Sequence, residues 1–294
     1  MRARFWGTRG SIAAPGPGTI RFGGNTSCVE LTTPSGGVLV LDCGTGARPL
    51  GDRLAARTAG PVSATILLTH THWDHIQGFP FFAPLFRPAN HFRVYGPEGA
   101  HLSLHGVLAG QMEHHYFPVE LDQLAARITY EDLSEGVHQI DGVTVRAQKM
   151  NHPSPTLGYR IEGGGKALCY LADHEPYYEN VWRAGAPAGR LESIRESGDR
   201  QHAEFMQGAA VVIHEAQYTP QEYESRRNWG HSTYPYVVEL AAAAGVGRLY
   251  LTHHDPSHDD EVVAEIERKA RELARSLGSS LEVSCAYEGC EIAV

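Results

Sequence analysis

The feature that most constrains this chain is a group of four proton-binding side chains within six residues, directly after an apolar strand. They are His70, His72, Asp74 and His75, and they follow the run Ala64–Thr69. Burying an unpaired carboxylate is costly, and three imidazoles add further hydrogen-bond demands. A divalent cation would satisfy all four groups, because imidazole and carboxylate are donors that zinc accepts. The segment is therefore predicted to be a metal-binding loop rather than a solvated histidine-rich loop.

The composition limits the classes of protein that the chain can belong to. Its 294 residues carry 25 Lys+Arg against 34 Asp+Glu, a formal net charge of −9, and include 17 histidines, more than core packing calls for. The acidic balance disfavours extended binding to a phosphate backbone. Five scattered cysteines without a C-x-x-C pair argue against a disulfide framework or a zinc finger.

Neither a membrane segment nor a secretion signal is recognisable in the sequence. No apolar run approaches the roughly 20 residues of a membrane span, and the first residues lack the apolar stretch of a signal peptide. We therefore expect a cytoplasmic protein with no membrane partner.

The order of the predicted elements indicates sheets that are covered by helices on their outer faces. Short β-branched runs occur in clusters, and each cluster is followed by a helical pattern. The predicted helices are Ala47–Arg57, Glu98–Leu108, Leu191–Gln207, Thr233–Ala244 and Asp259–Leu277. Periodicity alone leaves open whether there is one sheet or two.

Three more candidate donors each follow a predicted strand. His152 follows Val143–Lys149, Asp173 follows Ala167–Ala172, and His253 follows Arg248–Thr252. Side chains at the ends of separate strands can converge at one edge of a sheet. These residues are therefore candidates to complete the donor set begun at His70.

These motifs together resemble the metallo-β-lactamase superfamily. T-H-x-H-x-D-H after a strand matches its central motif, and the segments around Asp42, His152, Asp173 and His253 match its other motifs in order, from about Phe5 to Tyr287. The resemblance implies an α/β fold, the αββα four-layer sandwich, with a dinuclear metal site at one edge and a single hydrolase domain over 1–294. It also implies that Asp42 braces the metal loop without binding metal.

The same resemblance implies the ligands of two divalent metal ions, Zn²⁺ in the first instance with Mn²⁺ as the alternative. One ion would be held by His70, His72 and His152, the other by Asp74, His75 and His253, and Asp173 would lie between them. The neighbouring His174 and His254 are expected behind the ligands or at the surface.

Two further segments resemble the ribonuclease Z-like branch. His214-Glu215-Ala216-Gln217 is similar to its H-E-A-T segment, with Gln in place of Thr, and His231-Ser232-Thr233 is similar to its H-S-T segment. In that branch the second His protonates the departing oxygen and the Glu orients it, so the catalytic candidates are Asp74, Glu215 and His231. We expect Glu215 to accept a ring N–H of His231. The other interpretation of His231-Ser232-Thr233 is a helix N-cap.

The expected function is hydrolysis of a phosphodiester bond by a metal-bridged hydroxide. The predicted substrate is a small diester, such as a cyclic nucleotide or a cyclic ribose phosphate, because the chain has no long basic arm for RNA. The alternatives are a β-lactamase or lactonase acting on a carbonyl substrate, a ribonuclease Z-like RNA-processing nuclease, and a binding protein that has lost activity. The sequence leaves open whether the protein forms a homodimer.

Two segments have two interpretations each. The aromatic segment 111–118 is either a lid over the site or an ordinary surface loop. Arg9 lies in a Gly-rich turn and either contacts a phosphate or ties loops together.

Overall fold

The chain folds around two mixed β-sheets. The computed structural model describes residues 1–57, 60–99, 102–178 and 180–294. Its strands are β1 (Arg2–Gly7), β2 (Cys28–Thr32), β3 (Val38–Leu41), β4 (Ser63–Leu67), β5 (His91–Pro97), β6 (Arg127–Leu133), β7 (Gly136–Ile140), β8 (Val143–Lys149), β9 (Leu157–Gly163), β10 (Lys166–Leu171), β11 (Val211–Glu215), β12 (Arg248–Thr252), β13 (Glu282–Cys285) and β14 (Glu291–Ala293). Its helices are α1 (Ala47–Arg57), α2 (Trp73–Ile76), α3 (Leu104–Gln111), α4 (Ser197–Met206), α5 (Pro220–Tyr223), α6 (Tyr234–Ala243) and α7 (Asp260–Ser276).

Each sheet is parallel in one half and antiparallel in the other. The first has the order β14-β1-β2-β3-β4-β5-β6, and its strands from β3 to β6 are parallel. The second has the order β13-β12-β11-β10-β9-β8-β7, and its strands from β10 to β13 are parallel. Because β8 and β10 both run antiparallel to β9, β8 ends at the same edge as β10, β11 and β12.

The two sheets pack face to face with helices on both outer faces. Phe5 and Leu31 of the first sheet share a buried core with Ile161 and Ile213 of the second. The outer face of the first sheet packs against α1 and α3, and that of the second against α4, α6 and α7. This arrangement confirms the predicted αββα sandwich. Of the described helices, none combines the length and the apolarity that a membrane crossing requires.

Helix α7 shows how the sequence specifies one of the outer layers. The Asp259 carboxylate accepts hydrogen bonds from the backbone N–H groups of Glu261 and Val262, so it caps the first turn. Buried residues then recur at helical spacing, at Val263, Ile266, Ala270 and Ala274, and form the face that packs on the second sheet.

Two predicted helices are shorter than expected. The stretch Glu98–Leu108 becomes helical only at Leu104, because the Ser103 hydroxyl accepts the Gly106 N–H and starts the helix there; residues 100 and 101 lie outside the described part of the chain. The stretch Leu191–Gln207 breaks at Ile194, whose backbone is extended and forms a β-bridge with Trp182. Burial of Ile194 in the core outweighs the helical periodicity of the segment.

Asp259→Ala should remove the cap of α7 and lower the free energy of unfolding by about 1 kcal/mol. Asp259→Ser should retain most of the stability, because a serine hydroxyl can accept the same N–H groups. Urea-induced unfolding followed by circular dichroism measures both variants. An equal loss in the two variants would show that the cap is not the source of the effect.

Candidate metal centre

The predicted donors converge because their strands end at one edge of the sandwich. His70 and Asp42 follow the parallel strands β4 and β3 of the first sheet. His152, Asp173 and His253 follow β8, β10 and β12 of the second sheet. The structure thus brings together side chains that are up to 183 residues apart in sequence, from His70 to His253.

One donor cluster consists of His70, His72, His152 and Asp173. His70 Nε2 lies 3.4 Å from Asp173 Oδ2, and His152 Nε2 lies 3.2 Å from His72 Nδ1 and 3.8 Å from Asp173 Oδ2. His70 and Asp173 are buried, whereas His72 is exposed, so the cluster opens to solvent on one side.

The second donor cluster consists of Asp74, His75 and His253, next to the same Asp173. Asp74 Oδ2 lies 3.0 Å from His253 Nε2 and 3.2 Å from His75 Nε2. Both imidazole Nε2 atoms are 3.3 Å from Asp173 Oδ1. The carboxylate of Asp173 therefore faces both clusters, one oxygen toward each.

A buried carboxylate fixes the ring of His75. Asp42 Oδ2 lies 2.8 Å from His75 Nδ1 and accepts the Tyr170 hydroxyl at 2.9 Å. The other oxygen accepts the Thr69 backbone N–H at 2.7 Å. Asp42 contacts the ring nitrogen of His75 that faces away from the cluster, as partners of metal-binding histidines do.

Neutral partners fix two other rings. His152 Nδ1 lies 2.9 Å from the Gly230 carbonyl oxygen, and His253 Nδ1 lies 2.9 Å from Gln217 Oε1. A carbonyl oxygen can only accept, so each Nδ1 carries a proton, and each Nε2 can present a lone pair to a cation that displaces any proton there. That is the tautomer in which imidazole binds a metal through Nε2.

Three buried polar atoms at the centre test whether a cation fits. His70 Nε2, Asp173 Oδ1 and His231 Nδ1 make no hydrogen bond within the described part of the chain. Buried polar atoms without partners are rare, and a cation between them would satisfy the imidazole and carboxylate donors at once. The donor set therefore suits divalent metal ions.

The charges of the second cluster stabilise one another. Burial alone would raise the pKa of Asp74, but His75 and His253 outweigh it and hold that pKa well below its usual range. Burial would lower the pKa of His75, but Asp74, Asp173 and Asp42 raise it well above its usual range. Without a cation, this cluster holds protons on imidazoles between carboxylates, and a cation would take the place of those protons.

His231 and Glu215 lie beside the clusters but do not form the hydrogen bond that we expected. His231 Nδ1 is 3.9 Å from Glu215 Oε2 and 3.9 Å from Asp173 Oδ2. Glu215 instead accepts the backbone N–H groups of Gln217 and Ser232. Burial raises the pKa of Glu215 to about 8 and lowers the pKa of His231 to about 3. The Glu215 carboxylate therefore contacts the segment that carries His231 at the backbone N–H of Ser232, and it makes no hydrogen bond with the imidazole.

Sequence reasoning missed Gln217, Glu175 and Gly230 as supports of the site. Gln217 carries the oxygen that faces His253, and its departure from the H-E-A-T pattern was the one available signal. Glu175 accepts the N–H groups of Asn228 and Gly230 and so holds the segment that leads into His231. Nothing in the local sequence of Glu175 indicates this role.

Burial and contacts describe the other residues that the sequence analysis singled out. His174 and His254 are both buried behind the ligands: His174 Nδ1 accepts the Asn151 N–H, and His254 Nε2 lies 2.9 Å from the Ala286 carbonyl. Arg9 is fully buried and donates to the carbonyls of Gly23, Asp255 and His258, so it ties loops together.

In the segment 111–118, Phe117 packs edge-to-face on Phe81. Thr233 begins α6 without a side-chain cap.

The chain is similar to known proteins along most of its length. Residues 38–191, more than half of the chain, match the family model described as "Beta-lactamase superfamily domain". Ribonuclease Z of Brevibacillus brevis is 25% identical over 262 residues, which cover 73% of this chain and 78% of that protein. Ribonuclease Z of Synechococcus sp. (strain WH7803) is 27% identical over 295 residues, covering 88% and 86%.

The fold agrees with that of a solved structure. The metallo-β-lactamase fold protein YhfI from Bacillus subtilis superposes with a TM-score of 0.68 at 18% identity, over 99% of this chain and 98% of that one. Together with the family match and the donor clusters at the sheet edge, this shows that the chain belongs to the metallo-β-lactamase superfamily.

Proposed function

We propose that this metal-dependent hydrolase cleaves phosphodiester bonds. The observation that carries the proposal is His231, a buried imidazole beside both donor clusters whose Nδ1 has no hydrogen-bond partner in the described chain. Alkoxide is a poor leaving group, so diester cleavage gains from a positioned proton donor. The relatives named ribonuclease Z support the same class of reaction.

The proposed cofactor is a pair of divalent ions, Zn²⁺ in the first instance with Mn²⁺ as the alternative. The residues that would hold them are His70, His72 and His152 for one ion, Asp74, His75 and His253 for the other, and Asp173 between them. When bound, such ions supply a water molecule of lowered pKa and neutralise charge on the phosphoryl oxygens.

The protein's own residues then have separate tasks. Asp74 accepts the proton of the attacking water, and the Ser11 N–H, 2.8 Å from Asp74 Oδ2, orients its carboxylate. His231 delivers a proton to the departing oxygen. The ring has to be in its imidazolium form for this step, and the negative charge of a bound diester favours that form by raising the pKa of His231. Glu215 keeps His231 in place through the backbone N–H of Ser232.

We propose the whole chain, 1–294, as one hydrolase domain. The N-terminal segment reaches the last candidate ligand, since the Gly10 N–H donates to the carbonyl oxygen of His254, the residue after His253. Ser11 contacts Asp74 in the central motif. The site thus depends on residues from the first and the last parts of the sequence.

The proposed substrate is a small diester rather than a folded RNA. The name of the ribonuclease Z relatives favours a nucleic acid, so our expectation against extended nucleic-acid binding is not supported by the comparisons. The net charge of −9 nevertheless disfavours many backbone contacts, because Lys and Arg side chains are what neutralise the phosphate charges.

His231→Ala should lower kcat by about 10²- to 10⁴-fold on a diester with an alkoxide leaving group, because the proton donor is removed. The metal content, measured by inductively coupled plasma mass spectrometry, should stay at the wild-type level. With bis(p-nitrophenyl)phosphate the loss should be smaller, since p-nitrophenolate needs little protonation. As a control, His138→Ala changes a half-buried histidine on β7 and should keep full activity. Full turnover of the alkoxide diester by His231→Ala would refute the assignment.

Two glycines allow the donor clusters to be tested one at a time. A Cβ at Gly230 would lie 2.2 Å from His152 Nδ1, and Gly230 has φ +87°. A Cβ at Gly10 would lie 2.3 Å from His253 Nδ1. Gly230→Ala should therefore displace His152 and Gly10→Ala should displace His253, and each should reduce the metal bound per chain from two to about one.

The matched control for these variants is Gly110→Ala in α3, where a Cβ meets no atom within 4 Å. It should bind metal as the wild type does. Metal titration by isothermal calorimetry and thermal unfolding of each variant separate loss of a ligand from loss of the fold. Two tightly bound ions in both Gly230→Ala and Gly10→Ala would contradict the ligand assignment.

A further inference from the structure

A cleft of about 590 Å³ opens directly beside the candidate metal centre. His152, a member of the first donor cluster, is part of its wall. The other walls come from the segments on either side of that histidine and from the loops after β10 and α5: Asn151, Tyr177, Tyr178, Asn180 and Asn228. A cavity of this size holds a ligand the size of a nucleoside rather than a long polymer. The cleft is thus placed to receive one substituent of a phosphate bound at the metal centre.

One aromatic ring in this wall is held in place. The guanidinium carbon of Arg195 lies 4.0 Å from the ring centroid of Tyr178, so a cation covers one face of the ring. Tyr178 nevertheless stays 40% exposed. A ring that is fixed before the ligand arrives loses little side-chain entropy on binding.

Apart from Arg227 and the candidate ligand His152, the polar groups of the cleft wall are suited to a neutral heterocycle. The side-chain amides of Asn151, Asn180 and Asn228 include both donors and acceptors, which match the edge of a nucleobase. The one carboxylate in the wall, Glu175, is already engaged by the Tyr223 hydroxyl and two backbone N–H groups. It therefore does not demand a cationic ligand.

We propose that this cleft binds the nucleoside of a short nucleotidyl diester, with the base stacked on Tyr178. The inference rests on the proposed function, because the phosphate of the same molecule is the one cleaved at the metal centre. Stacking is worth about 1–3 kcal/mol per base and needs no basic surface. It explains how a chain of net charge −9 selects a nucleotide substrate.

The test compares two chromogenic diesters with the same leaving group. Thymidine 5′-(p-nitrophenyl phosphate) carries a base, and methyl p-nitrophenyl phosphate does not. The wild type should have the higher kcat/KM for the thymidine ester. Tyr178→Ala should lower the ratio of the two kcat/KM values by about 5- to 150-fold, the factor that one stacked base supplies.

A conservative variant and a control distinguish stacking from a general loss of structure. Tyr178→Phe should keep most of the ratio, because a phenyl ring still stacks. Tyr287→Ala removes an exposed aromatic ring that is not part of the cleft wall and should leave the ratio unchanged. An equal loss on both esters, or no change in the ratio, would overturn the proposal.

A binding measurement separates failure of this inference from failure of the proposed function. In the metal-loaded protein, calorimetry should show tighter binding of adenosine 5′-monophosphate than of ribose 5-phosphate, and Tyr178→Ala should reduce that difference. If the wild type hydrolyses neither ester but prefers the adenosine compound, the diesterase proposal fails and the cleft assignment stands. Equal binding of the two compounds overturns the cleft assignment, whatever the activity.

Discussion

The site depends on one buried carboxylate that links the two sheets. Asp42 ends β3 of the first sheet and is fully buried, yet it accepts hydrogen bonds from Thr69 of that sheet and from Tyr170 of the second, and contacts His75. An isolated charge at this depth would be strongly destabilising, so its donors have to be in place together. The same contacts set the distance between the sheets at the edge where the donors converge and fix the ring of His75. The contacts of Asp42 that join the two sheets are thus the same contacts that orient His75.

The backbone carries strain at the same edge. Asp42, Asp173 and His253 have φ values of 59°, 30° and 59°, in the left-handed region that residues with a Cβ seldom adopt. Such conformations cost of order 1–3 kcal/mol each and persist only where the surroundings enforce them. All three residues directly follow or nearly follow a strand, where the chain has to turn while its side chain stays at the sheet edge. The strain is therefore offset by packing of the sandwich, and it pre-organises the donors before any cation binds.

The sequence predicts the parts of this structure that depend on local pattern. Apolar runs indicate most of the strands, and the positions of His152, Asp173 and His253 after them predict their convergence, because parallel strands end at one edge. What the sequence does not reveal depends on contacts across the fold. The short strand β14 is defined only by pairing with β1, and the three hydrogen bonds that make Glu175 a support join residues about 50 positions apart. Neither the pairing of β14 nor the hydrogen bonds of Glu175 leave a periodic pattern in the sequence.

The contacts of Glu215 show how a recognised motif can keep its residues and place them differently from expectation. Its carboxylate is occupied by the backbone N–H groups of Gln217 and Ser232, so it joins the segment after β11 to the segment that carries His231. Because no side chain of the described residues hydrogen-bonds His231 Nδ1, the ring is positioned by its backbone and not by a charged partner. Gln217 extends the same arrangement to His253, through a neutral amide oxygen. The segment after β11 therefore supports both His231 and His253, and a shift of that segment would move both rings together.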